Sequence, residues 1–349
     1  MKNVVIVRLG GEIGIKSRPV RRMYELEVLN QIQRRLRAHE IPFSKVWRTA
    51  GRIYILTEES DRALELAART FGVSSASSGL LTTSDMDDMV EMSLRLSEGF
   101  EGTFAVKCRR VGKHPYTSQE VAAKIGDEIL KAHPSLRVDL ENPDHVVNLE
   151  IRDETAVFYA KSLMGPDGFP VGSQDTAVGM LDESLDSLLA SWCIMKRGSP
   201  LIAVVPRPQE SSRVTRNLTL LSKWAPGCSI KAVILPLTAR EANPIFHLFL
   251  ASAYAKSKGI PAIISGLPVA TLKVLSELQS KLPVPALFPL ISVDGALLRK
   301  WVELMGLDLR NELRYDVAID HTDLPGNIDI ALRDSIEVMV MEDGSFSRP

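Results

Sequence analysis

At 349 residues the chain exceeds one typical domain of roughly 100 to 200 residues, so two or three domains are expected. Apolar residues make up 45% and charged residues 24%, which excludes a disordered or fibrous chain. No apolar run reaches the roughly 18 to 20 residues of a membrane span, and the apolar start at Val4–Val7 is too short for a signal peptide, so a cytoplasmic location is expected.

The net charge of −1 conceals an uneven distribution. Residues 1–52 carry 12 Lys/Arg against 4 Asp/Glu, the footprint of a module that meets a polyanion, because clustered cations release counterions from phosphates. Cys108, Cys193 and Cys228 are widely spaced and odd in number, so buried free thiols are expected rather than disulfides or a local metal site. The six histidines show no metal-binding spacing.

Val4–Val7 is β-branched and precedes Gly10-Gly11, which predicts a strand. A helix follows Ser17, with Pro19 in its first turn. Met23, Leu26, Ile32 and Leu36 are taken as its apolar stripe, while Arg18, Arg21, Arg22, Arg34, Arg35 and Arg37 are left for solvent or ligand. Strands at Ser44–Trp47 and Arg52–Leu56, a helix at Asp61–Arg69 and a strand at Val73–Leu81 complete a βαββαβ order, which indicates a ferredoxin-like module over residues 1–82. A second unit opens with a helix that Ser84 is expected to cap. It continues through a strand at Phe104–Cys108, a basic loop at Arg109–Pro115 and a helix begun by Thr117, whose spacing to Glu120 is that of a capping box. Val121, Ile125 and Ile129 form that helix's stripe, and Val138–Leu140 and Val146–Ile151 read as strands.

Arg109-Arg110, Pro115–Ser118, Ile125-Gly126, Val138–Leu140, Asn142–Asp144 and Glu150–Arg152, in this order, resemble a THUMP domain, an RNA-binding module, assigned to residues 83–165. Arg8–Lys16 is similar to the N-terminal signature of the tRNA 4-thiouridine synthetase (tRNA sulfurtransferase) family. The resemblance covers essentially the whole chain and implies that its first half grips tRNA near the acceptor stem and that the protein is a homodimer. The residues themselves also favour RNA. Arg109, Arg110, Lys113 and His114 beside the helix start at Thr117 and Ser118 combine charge with backbone donors, and Arg8, Lys16, Arg18, Arg21 and Arg22 extend the potential. Few aromatics interleave with them, which favours backbone and shape recognition of folded RNA over base stacking.

After a linker near Gly165–Pro170, strands at Ala177–Leu181, Leu201–Val205, Ile230–Leu235, Ala262–Ser265 and Leu287–Ile291 alternate with helices at Leu185–Arg197, Ser212–Trp224, Pro244–Lys258, Thr271–Lys281 and Asp294–Met305. That pattern predicts an α/β doubly wound parallel sheet over residues 172–349, with its ligand crevice beyond the strand ends. The whole chain is thus expected to be α+β in its first half and Rossmann-like in its second. The turn at Asp182, Glu183, Ser184, Asp186 and Ser187 resembles the family's pyrophosphate-binding PP-loop. The family's Ser-Gly-Gly falls here on Asp182-Glu183-Ser184, so both glycines are gone and two carboxylates stand where a polyphosphate would lie. Two unit charges about 4 Å apart repel by roughly 4 kcal/mol at an effective dielectric of 20, more than the roughly 0.3 to 1 kcal/mol a helix dipole supplies.

The family's sulfur-carrying cysteines have no counterpart either. After Arg314-Tyr315-Asp316 the chain runs Val317-Ala318-Ile319, a second position falls near Ile245-Phe246, and Leu267 replaces a carboxylate in the turn Ser265-Gly266-Leu267. The sequence therefore reads as a tRNA-binding relative with neither catalytic residues nor a metal or cofactor of its own. The alternatives are an active sulfurtransferase using ATP and Mg, alone or completed by a partner protein, and a different enzyme working through Asp182, Glu183 and Asp186.

Overall fold

The computed structural model describes residues 2–206, 212–235, 244–267, 279–311 and 335–347. Most of the helix expected over Thr271–Lys281, the segment Arg314–Ile319 and His321 lie outside the described residues. The chain divides into two compact units, one of Met1–Leu9, His39–Ala68 and Val73–Met164, the other of Gly10–Ala38, Arg69–Gly72 and Gly165–Pro349.

The first unit is built on an eight-stranded sheet. Its strands are β1 (Lys2–Leu9), β2 (Lys45–Thr49), β3 (Arg52–Leu56), β4 (Val73–Thr83), β5 (Thr103–Val111), β6 (Arg137–Val138), β7 (His145–Arg152) and β8 (Thr155–Met164), in the spatial order β2-β3-β1-β4-β8-β7-β5-β6. The pairing of β4 with β8 makes the ferredoxin-like and THUMP-like halves one sheet. Strand β8 was not anticipated. Arg109 and Arg110 belong to β5 rather than to a loop, because β5 pairs in parallel with β7 as far as Val111 and Arg152. Helices α3 (Ser60–Ala68), α4 (Met86–Leu96) and α5 (Ser118–Ala132) pack on one face, where Phe104, Val121, Ile125, Ile129, Leu149, Ile151 and Phe158 form a core. The cap of α4 is Asp85, whose side chain accepts from the Asp87 N–H, and not Ser84. An aspartate carboxylate is the stronger acceptor at a helix N-terminus.

The second unit holds α1 (Gly11–Gly14) and α2 (Arg18–Ala38), so the helix after Ser17 groups with the C-terminal residues and not with the strands that flank it in sequence. Its buried stripe is Tyr24, Val28, Ile32 and Leu36, whereas Met23 and Leu26 are exposed. Arg35, expected at the surface, is buried. Its guanidinium donates to the carbonyls of Ala225 at 3.2 Å and Lys223 at 2.5 Å. A sequence period cannot show that a polar side chain will find carbonyls at the end of another element.

The sheet of this unit contains β9 (Ala177–Met180), β10 (Leu201–Pro206), β11 (Ser229–Leu235), β12 (Ile263–Ile264), β13 (Ala286–Leu287), β14 (Ile336–Met341) and β15 (Phe346–Ser347). The order is β13-β12-β9-β10-β11-β14-β15, parallel from β13 to β11, with β14 and β15 antiparallel at one edge. The doubly wound expectation thus holds for five strands, and the antiparallel edge is an addition to it. Helices α6 (Leu185–Lys196), α7 (Ser212–Ser222), α8 (Pro244–Ser257) and α9 (Gly295–Leu304) accompany the strands, and Trp192, Trp224 and Trp301 meet with Phe71 in the larger core. Strand β9 lies between β10 and β12, so the chain leaves it at the point where strand order reverses, the usual ligand position in such a sheet.

Candidate nucleic-acid interface and crevice

In the first unit, β5 delivers Arg110 to a turn closed by Gly112, whose φ of +111° suits glycine. Arg110 donates through one Nη to the Gly112 carbonyl at 2.9 Å and to Nδ1 of His114 at 3.2 Å. A guanidinium only donates, so Nδ1 accepts. Nε2 of His114, 2.7 Å from the Asp153 carbonyl, then carries the proton. Both ring nitrogens of His114 are thus engaged. The ring stacks on Tyr116, whose hydroxyl donates to the Ser84 carbonyl. Thr117 caps α5 as the sequence predicts: its Oγ accepts from the Glu120 N–H at 3.2 Å, and the Glu120 carboxylate accepts from the Thr117 N–H at 2.7 Å. Those backbone and side-chain bonds hold the Glu120 carboxyl below the usual range. Lys113 is exposed and Ser118 half-buried, and the open cleft beside them, about 1020 Å³, also carries Asp85, Asp153 and Glu154.

Arg8 lies inside a buried ion cluster of the first sheet. It is 9% exposed, and its Nε donates to Glu150 at 2.9 Å while an Nη donates to the Ser77 hydroxyl at 2.8 Å. Arg52 at 2.6 Å and Arg152 at 3.2 Å reach the other oxygen of the same carboxylate. Burial alone would raise the Glu150 pKa; Arg52 and Arg8 outweigh it and hold the carboxyl below its ordinary value. Neither Arg52 nor Arg152 was singled out from the sequence. The signals were the charge excess of residues 1–52, which holds Arg52, and the segment Glu150–Arg152, which holds Arg152.

Lys16, Arg18, Arg21 and Arg22 belong to the second unit. Arg18 and Arg22 are exposed, Arg21 lies 3.6 Å from Glu25, and the Lys16 ammonium sits over the Phe169 ring at 5.2 Å.

At the end of β9, Asp182 folds back so that its Oδ1 accepts from the N–H and the hydroxyl of Ser184 at 2.8 and 2.7 Å. Ser184 caps α6 by accepting from the Ser187 N–H at 3.1 Å, and the Asp182 N–H donates to the Ser187 hydroxyl at 3.1 Å. Asn217 of α7 donates to the carbonyls of Asp182 and Ser184. Asp186 and Ser187 are buried, and Glu183 is exposed. Gly266 closes the floor: a β-carbon there would stand 2.3 to 2.5 Å from backbone atoms of Asp186 and Ser187. His247, buried beneath, donates from Nε2 to the Val204 carbonyl at 2.8 Å, and burial lowers its pKa against the pull of Asp182.

Three of the turn's backbone N–H groups are thus taken by its own side chains, and a carboxylate occupies the position an anion needs. This donor set does not fit a triphosphate. Among the described residues no three ligand atoms of Asp182, Glu183 and Asp186 lie within 4.8 Å of one another. The cysteines are free. Burial raises Cys108 and Cys228 to about 11 and Cys193 to about 12, so none is a thiolate near neutrality. No helix of the described residues is long and apolar enough to cross a membrane.

Comparison with known proteins supplies the family. Residues 4–77 match the ThiI ferredoxin-like domain and residues 83–161 the THUMP domain. A probable tRNA sulfurtransferase of Methanosarcina acetivorans is 35% identical over 249 residues, 67% of this chain but 60% of that protein, so the chain spans less than two thirds of that relative's length. One from Methanobrevibacter smithii is 30% identical over 338 residues, covering 87% of this chain and 86% of the relative. Among solved structures, PH1313 from Pyrococcus horikoshii superposes with a TM-score of 0.72 at 28% identity, over 87% of this chain and 100% of that one. A 4-thiouridine synthetase in complex with RNA and bound ATP superposes at 0.69 and 26% identity, over 88% of this chain and 85% of that one. With its two N-terminal domains, its sheet order and a relative aligned along most of both chains, this chain belongs to the tRNA sulfurtransferase family.

Proposed function

We propose that this protein binds tRNA and serves in tRNA modification without ATP-dependent adenylation or sulfur transfer of its own, as a pseudo-enzyme or as one subunit of a modifying complex. The observation that carries this reading is the turn at Asp182–Ser187, where the donors that would wrap a polyphosphate are bonded to Asp182, Ser184 and Ser187 instead. The three raised thiols support it, since sulfur transfer needs a thiolate at working pH. The THUMP match and the RNA-bound relative support the tRNA half. In this reading the contacted part of the tRNA is the acceptor-stem region, and the working form is a cytoplasmic homodimer.

The test is incubation of the purified protein with tRNA, Mg-ATP and a sulfur donor, followed by the near-ultraviolet absorbance of thiouridine in the recovered tRNA. No new band is expected from the protein alone. A band would establish an active tRNA sulfurtransferase that uses ATP despite this turn. A band that appears only with an added cellular fraction would assign the missing chemistry to a partner protein and leave the subunit reading intact.

A further inference from the structure

The second unit carries a cavity of about 450 Å³ at the amino ends of β9 and β12, whereas the turn at 182–187 follows the carboxyl end of β9. Backbone bonds between the segment after Gly165 and the end of α6 fix its frame. The Phe169 N–H donates to the Lys196 carbonyl at 2.9 Å, and the N–H groups of Gly172 and Gln174 donate to the Gly198 carbonyl at 2.8 and 3.2 Å. A cavity framed in this way is formed before a ligand arrives, and its volume lies in the range of about 300 to 1,000 Å³ common to small-molecule sites.

The lining carries both signs of charge. Lys16 and Asp175 both border the cavity, and neither has an ion-pair partner among the described residues. The Lys16 ammonium lies over the Phe169 ring at 5.2 Å. Arg197 stands over the same ring at 5.2 Å and is already paired with Glu12 at 3.2 Å, which leaves most of its N–H donors unused by that contact. Tyr24 and Ser199, each 8% exposed, line the cavity as well, and neither hydroxyl has a hydrogen-bond partner among the described residues. Ile194, Ile264 and Leu287 supply an apolar wall.

A simple anion would satisfy Lys16 and be repelled by Asp175, and a simple cation would do the reverse. A zwitterion answers both. The carboxyl end of α6 borders the cavity through Ile194 and Arg197, and the negative pole of a helix favours an ammonium group over a second anion. We propose that this cavity binds a free α-amino acid with an apolar side chain. Its carboxylate meets Lys16 and Arg197, its ammonium meets Asp175, and its side chain lies against Ile194, Ile264 and Leu287. The Tyr24 and Ser199 hydroxyls complete the polar contacts, which relieves two nearly buried groups that otherwise lack a partner in the chain. The site goes beyond the tRNA-binding reading and stands without it.

The experiment is isothermal titration calorimetry of the full-length protein with L-leucine, L-methionine and L-phenylalanine. It is repeated with N-acetyl-L-leucine, which lacks the ammonium, and with L-leucinamide, which lacks the carboxylate. Lys16→Gln, Asp175→Asn and Asp127→Asn are titrated alongside, and melting temperatures verify that each variant folds. Asp127 is an exposed carboxylate of α5 in the first unit, so its loss changes net charge as that of Asp175 does. At least one of the three amino acids is expected to bind with a Kd of about 1 mM or tighter. Lys16→Gln and Asp175→Asn should each weaken that binding about tenfold or more, with Asp127→Asn within about twofold of wild type. The two leucine derivatives test the same pairing on the unaltered chain and should bind about tenfold more weakly than the best amino acid. No amino acid bound more tightly than about 1 mM, affinity unchanged in Lys16→Gln or Asp175→Asn, an equal loss in Asp127→Asn, or a derivative bound as tightly as the free amino acid would overturn the proposal. None of these results bears on tRNA binding.

Discussion

The two sheets of this protein treat their polar groups in opposite ways. In the first unit, the eight-stranded sheet bends around Glu150 and gathers an excess of guanidinium groups on the face opposite α3, α4 and α5. In the second, the parallel sheet ends in a turn whose donors and acceptors are spent on one another, from Asp182 through Ser184 and Ser187 to Asn217. A surface with surplus charge can still recruit a polyanion. The contrast teaches that two sheets of one chain can leave their polar groups either in surplus or bonded to one another, as strand register and local residue types dictate.

The largest effect is expected at the centre of the first sheet. Glu150→Gln leaves three guanidiniums around a neutral amide and should cost about 3 to 5 kcal/mol, the usual penalty for stranding one side of a buried ion pair. Urea unfolding of the first unit measures it, and a loss below about 1 kcal/mol would mean the cluster is not what shapes the sheet. In the second unit, Gly266→Ala forces a methyl group against the backbone of Asp186 and Ser187 and should destabilise by about 1 to 3 kcal/mol, read as a lowered melting transition.

Acid should separate the two units. His247 has a lowered folded pKa, so its contribution is complete above its unfolded value near 6.5 and is lost as pH falls from there toward the folded value. Glu150 is also lowered, but from an unfolded value near 4.3, so its contribution persists until the pH falls below that point. The second unit should therefore lose stability first on acidification, and His247→Leu should abolish that early limb. An early limb that survives in the variant would assign it to another group. The smallest effect is at the cap of α5, where Thr117→Ala should cost about 1 kcal/mol and Thr117→Ser should restore most of it, as circular dichroism melts would show.

Where the determinants are close in sequence, they were legible. The capping box of Thr117 and Glu120 sits three residues apart, and the bond from Asp182 to Ser184 is equally local, although Glu183, expected beside it, is exposed. Where they are distant, they were not. Arg8, Arg52, Ser77, Glu150 and Arg152 converge only because strand order and curvature bring four separate strands together, which no local window displays. The same holds for β8, whose identity as a strand is sealed by pairing with β4 some eighty residues earlier, and for β14, which joins β11 from the end of the chain. Arg109 and Arg110 read as loop because their charge masks the ladder that β7 provides. In α2, the buried Glu25, Gln31 and Arg35 dilute the apolar period, which is why the exposed Met23 and Leu26 were mistaken for its inner face.

The proposed contrast between a tRNA-binding first unit and a self-bonded turn in the second is tested most directly by equilibrium dialysis of radiolabelled Mg-ATP against the full-length protein saturated with tRNA. The account predicts that tRNA is retained, with retention falling steeply between 50 and 200 mM salt, while ATP distributes evenly across the membrane even at millimolar concentration. ATP concentrated on the protein side, and released when Ser184 is replaced by a bulky residue, would contradict it, because a nucleotide would then be seated where Asp182 now bonds its own chain.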